Sequence, residues 1–342
     1  MRKSLLLAAA MLLVSLMVYG CSDDSPSGAG GQSAAGGKVH KLKWGHVSSA
    51  TYPYHLAAEK VAAEVLEKTG GAVEITIYPS NQLGSQREMT ESIQTGVIDI
   101  ALSSSSVLSG YDPKVQILDL PFLFRDRVHA YQVFDGPVGD EIFSGISREV
   151  APVVAVWENG VRNLLNRKQP VTKPADMAGM KIRVMESKAY IRMMECLGAN
   201  ATPMSYGEVY TALQQGTVDG ADNPYSSIYT ERFYEVAPFI TQSEHAYSSA
   251  PVLVSPRLEK KIGAENYAVL IQAIKNNTAW QRDLAISEEN AYADKLTEGG
   301  AQIAVLSEEE KQAFLDKCKP VWDEFAGIVG RELIDKITAV GK

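Results

Sequence analysis

Arg183 sits in the short apolar run KIRV, where a buried cation is costly unless an anion neutralises it. A guanidinium presents a planar fork that holds a carboxylate through two parallel hydrogen bonds. Taken alone, the residue fits either the acid group of a ligand or a structural ion pair. Asn223 precedes Pro224; its amide both donates and accepts, although an Asn-Pro pair also marks an ordinary turn. Arg162, in WENGVRN, can reach a cleft or cap a helix. Four successive serines, Ser103 to Ser106, suit a polar ligand or form a plain surface loop.

Enzymatic chemistry finds little support. There is no GxSxG elbow, no HExxH helix and no Walker loop. The histidines, His40, His46, His55, His129 and His245, show no metal-ligand spacing, so neither a metal nor a cofactor is expected. His46 alone deserves a test, because it closes the first expected strand. Cys196 and Cys318 lack CxxC spacing; they form either one disulfide or two buried thiols.

These side chains need elements to position them, and an internal repeat supplies the outline. EMTESIQTGVIDIA (Glu88 to Ala101) and EVYTALQQGTVDGA (Glu208 to Ala221) share five residues at a constant offset, since 208 − 88 and 219 − 99 both equal 120. Each copy reads as a helix ended by a left-handed glycine cap, Gly96 or Gly216, and then a short strand. KLKWGHV (Lys41 to Val47) and MKIRV (Met180 to Val184) read as earlier strands, each followed by a helix. In the first copy Tyr54, Ala57, Ala58, Val61 and Val65 share one helical face, and EITIYP alternates as a half-buried strand. The second copy has a helix over roughly 187–197 and a short extended piece at 201–203.

The expected class is therefore α/β: two parallel-core sheets with flanking helices, in two lobes. Ligands of such sheets lie beyond the carboxyl ends of the strands. That rule names the loops 47–53, 103–111, 184–187 and 223–226, and places the site between lobes. A helical stretch from about Ala264 to Thr297, roughly 50 Å long, is long enough to brace both lobes. Ser307 with Glu310 opens a last helix with a capping box, and Pro320 is expected to interrupt it.

Arg2 and Lys3 precede an apolar run from Leu5 to Val18 that is short for a membrane span, as in an export signal over 1–20. Gly20-Cys21 suits lipoprotein processing, which would leave Cys21 bearing lipid; Tyr19 departs from the usual small residue. Residues 21–39 are rich in Ser, Gly and Ala and read as a flexible tether. The remainder is expected to divide into a first lobe, 40–159 plus 250–290, and a second, 160–249 plus 291–342. Without Arg2 and Lys3 the charge is 31 − 41 = −10, so nucleic acid is not an expected partner.

Several ordered stretches resemble the solute-binding proteins of TRAP transporters over residues 40–340. They are YPSNQLG, IQTGVIDIA, LPFLFRD, DGPVG, NGVRN, MAGMKIRV, TPMSYGEVYTALQQGTVDGADNP and FYEV. The resemblance implies a type II-like periplasmic binding fold with crossing strands and a long bridging helix. It implies that Arg183 forms the principal salt bridge to a ligand carboxylate, that Arg162 and Asn223 assist, and that Tyr206 packs on the ligand. Ser104 joins these as an expected ligand-binding residue. Val47 and Ser104 stand where sialic-acid-binding members carry asparagine and glutamate, which disfavours sialic acid. A uronate, a dicarboxylate, a 2-oxo acid and an aromatic acid all remain open. The expected protein is a lipid-anchored periplasmic or cell-surface monomer that passes its acid to TRAP membrane subunits. The alternative is an organic-acid sensor with the same fold.

Overall fold

The computed structural model describes residues 38–342. The expected export signal, Cys21, and all but the last two residues of the tether lie outside the described residues. Nine strands organise the described chain: β1 (His40–Gly45), β2 (Val73–Tyr78), β3 (Ile100–Leu102), β4 (Val153–Asn166), β5 (Lys181–Val184), β6 (Asn200–Pro203), β7 (Gly220–Asn223), β8 (Phe239–Val254) and β9 (Gln302–Val305). Their order is β2-β1-β3-β8-β4-β7-β5-β6, with β9 paired to β8. Both parallel cores expected from the repeat are present, β2-β1-β3 in the first lobe and β6-β5-β7 in the second.

The two cores are joined into one continuous ladder by the long antiparallel strands β4 and β8. One end of β8 pairs with β3, at Val252 to Val254, and one end of β4 pairs with β7, at Asn163 to Asn166. The chain therefore crosses between lobes on strands rather than on loops. Register shifts between Glu158 and Gly160 and between Arg162 and Leu164 bend β4 midway.

Local chemistry explains the flanking helices. Pro53 opens the helix Pro53–Lys68, whose buried face is the expected set Tyr54, Ala57, Ala58, Val61 and Val65. Gly96 (φ 76°) and Gly216 (φ 73°) both end their helices in the left-handed region. The repeated aspartates do equivalent work. Lys43 N donates to Asp99 Oδ2 at 2.9 Å, and Lys181 N donates to Asp219 Oδ2 at 2.8 Å, so each ties its strand to the neighbour.

Two expectations are corrected. The stretch over 264–297 is two helices, Ala264–Asn276 and Thr278–Glu298, separated at Asn277, whose side chain donates to Ala273 O at 2.8 Å. The second still braces both lobes, packing on Pro53–Lys68, on β4 and on the helix Tyr225–Thr230. Pro320 does not interrupt the last capped helix, which runs unbroken over Glu308–Val329. Buried Phe314, Cys318, Val321 and Phe325 hold it on both sides of the proline. Each such side chain contributes about 1.5–3 kcal/mol, together exceeding the ~3 kcal/mol that an interior proline costs. Cys196 and Cys318 are both free thiols, and burial pushes Cys318 up to about 12.

Candidate functional site

Arg183 lies near the carboxyl end of β5, with its backbone opposite Thr202 of β6. It is 2% exposed, and among the described residues its only side-chain hydrogen bonds run from Nε (3.1 Å) and Nη2 (2.8 Å) to the carbonyl of Met204. Among the described residues no carboxylate lies within 4.0 Å of it. Burial, and then the nearby charge of Arg162, push its pKa down to about 10. The fold thus holds a cation in a place that penalises its charge, which an anion would relieve.

Arg162 is placed differently. Its Nε lies 2.6 Å from Asp222 Oδ2, and its Nη2 also donates to the Asp222 carbonyl. Burial works against that carboxylate, but Arg162 and His245 outweigh it and hold its pKa well below the usual range. His245 Nε2 sits 3.3 Å from the same oxygen. The bend in β4 carries Arg162 to the site, yet the protein already neutralises it.

Both arginines border a tight cavity between the lobes, with about 40 Å³ of free space, well below the roughly 300–1,000 Å³ of typical small-molecule sites. All four loops named from the sequence contribute to its wall, through Val47 and Ser48, Ser104 and Val107, Met185 and Glu186, and Asn223. The expected residues Arg183, Arg162, Asn223, Tyr206 and Ser104 are therefore brought together at one cavity. Asn223 Nδ2 and Tyr206 OH are buried without hydrogen-bond partners among the described residues. Ser104 Oγ accepts from Val107 N at 3.3 Å, opening a short helix, while its backbone N–H donates to Gln86 Oε1 at 2.7 Å.

Sequence reading did not single out Tyr54, Gln86, Asn159, Glu186 or Ser227 as wall residues. Tyr54 was assigned to the helix core, which it also serves. Asn159 lies inside the named stretch WENGVRN, Ser227 adjoins the loop 223–226, and Glu186 lies inside the loop 184–187. Gln86 follows the capping residue Ser85, a position with no recognition signal of its own.

His46 Nε2 faces His55 Nδ1 at 2.8 Å, and burial, then His55, push the pKa of His46 down to about 3. Among the described residues no group of three or more His, Cys, Asp or Glu side chains could hold a metal ion, and no helix is long and apolar enough to cross a membrane.

The lobes touch around the cavity. Ser49 N donates to Glu231 Oε1 at 2.9 Å, and Tyr52 OH contacts Ser226 Oγ at 3.0 Å. Deeper in, Asp119 accepts from Ser106 Oγ at 2.7 Å and from Ser187 Oγ at 2.6 Å, linking loops of the two lobes.

The model of DctP, bacterial extracellular solute-binding protein, family 7, matches residues 44–327. The chain belongs to this family. It is 32% identical over 278 residues to the 2,3-diketo-L-gulonate-binding periplasmic protein YiaO of Escherichia coli, covering 81% of this chain and 84% of that one. Among solved family structures, a TRAP periplasmic solute-binding protein of Sulfurospirillum deleyianum with bound succinate is 34% identical, with TM-score 0.85 over 89% of this chain and 99% of that one. One from a Polaromonas species, bound to D-erythronate, is 33% identical, with TM-score 0.85 over the same shares. Near-equal likeness to family 7 proteins with different ligands means that overall identity does not select a ligand for this chain.

Proposed function

We propose that this chain captures a small organic acid outside the cytoplasm and delivers it to the membrane subunits of a TRAP-type transporter. The observation that carries this reading is Arg183, a buried guanidinium held by one carbonyl oxygen and facing a cavity between lobes. The carboxylate of the acid seats on Arg183, with Asn223 Nδ2 and Tyr206 OH completing its hydrogen bonds. Arg162, already paired with Asp222, assists as a positioning group rather than as the neutralising charge. Binding and release, not turnover, is the chemistry this wall supports. Cys21 serves as the membrane tether.

The solved relatives with bound succinate and bound D-erythronate support an acid as ligand. Calorimetry on Arg183→Ala tests it. Truncating one member of a buried charge pair costs about 2–5 kcal/mol of binding, and unchanged affinity for the best acid removes Arg183 from the role.

A further inference from the structure

Every ionisable side chain of the cavity wall can be counted, and the count bears on how many acid groups the ligand carries. Arg162 is spent on Asp222 at 2.6 Å. Arg183 then remains as the one wall cation without a carboxylate partner among the described residues. The wall also carries an anion, Glu186. Its nearest cation is Arg87, 3.8 Å away, about two-fifths exposed and not part of the wall, so solvent weakens that pair.

The first-lobe side of the cavity carries no charge. It consists of Val47, Ser48, Tyr54, Gln86, Ser104, Val107 and Asn159. Ser104 Oγ already accepts a backbone N–H, which leaves its own proton to donate, and Gln86 uses only its Oε1, which leaves its amide hydrogens. The Glu186 carboxylate, in the same wall, only accepts. A wall that holds neutral donors and an acceptor matches ligand hydroxyls, which do both.

We propose that this site selects a polyhydroxylated monocarboxylate, of the aldonate or uronate type, over dicarboxylates. The inference rests on the organic-acid reading above. One carboxylate neutralises Arg183, and hydroxyls bridge Ser104, Gln86 and Glu186. The second carboxylate of a dicarboxylate meets either the neutral wall or Glu186, and an uncompensated charge is penalised when it leaves water.

The test is calorimetry of the mature chain against aldonates and uronates of four to six carbons, with succinate, malate and fumarate alongside. The expected result is at least one sugar acid bound 100-fold or more tighter than every dicarboxylate, with Glu186→Gln narrowing that ratio about tenfold. A dicarboxylate binding as tightly as the best sugar acid overturns the inference and leaves the organic-acid reading standing. An unchanged ratio in Glu186→Gln overturns the charge argument. Failure of all these acids to bind overturns the organic-acid reading and the inference with it.

Discussion

Asp119 shows how single residues couple the site to pH. Burial pushes its carboxyl up to about 7, and the bonds from Ser187 and Ser106 and the field of Arg162 only partly oppose that. Because the folded pKa lies above the unfolded value, the folded protein keeps a proton that the unfolded chain releases between about pH 4 and 7. Stability therefore falls as pH rises through that window, by at most ~1.4 kcal/mol per pH unit for one group. Glu289, raised to about 7 mainly by burial, adds the same sign. Asp119→Asn keeps the shape and removes its titration, so urea unfolding between pH 4.5 and 7.5 should show about half the slope of the parent. An identical slope would mean that Asp119 ionises freely in the folded protein. Residue types alone did not reveal this carboxyl, because its shift comes from burial, which exists only after folding.

At the scale of elements, the repeat was legible because its signals are local. A glycine that must be left-handed leaves its mark at fixed spacing, and Gly96 and Gly216 kept their assigned places; the shared Asp99 and Asp219 prove to bind the neighbouring strand. The tertiary partners were not legible. Asn277 separates two helices while its amide also donates to Glu64 Oε2 at 2.6 Å, and Pro320 stays helical because its neighbours are buried. The bend of β4 lies between these extremes, since Gly160 was visible in WENGVRN but its cause was not. Its φ is +132°, and a Cβ there would lie 2.7 Å from Pro224 Cβ. Gly160→Ala should therefore strain the backbone and push Pro224, with the adjoining Asn223, out of place. A loss of about 1–3 kcal/mol in stability is expected, with weaker acid binding by calorimetry. Full stability and affinity in that variant would show that the bend adapts and that Asn223 does not depend on it.

At the scale of the whole molecule, the question is what keeps the lobes together. The contacts across the cavity mouth are polar, chiefly Ser49 with Glu231 and Tyr52 with Ser226. Such bonds replace bonds to water and contribute only about 1 kcal/mol each. The braces, by contrast, are continuous covalent strands and a packed helix that resist separation but permit bending at the β4 register shifts. Closure is then a balance of a few kcal/mol, small enough for a ligand that touches both lobes to tip. In the proposed complex its carboxylate seats on the second-lobe Arg183, and its hydroxyls reach the first-lobe wall only when the cavity is shut. Small-angle scattering should therefore show a smaller radius of gyration with ligand than without. Glu231 lies outside the cavity wall, so Glu231→Ala changes the balance without touching the ligand. Losing about 1 kcal/mol of closure should lower apparent affinity about fivefold, with the compact form restored at saturating ligand. Equal affinity in the variant, together with scattering that ignores ligand, would mean that the lobes are fixed and that selection happens in a rigid site.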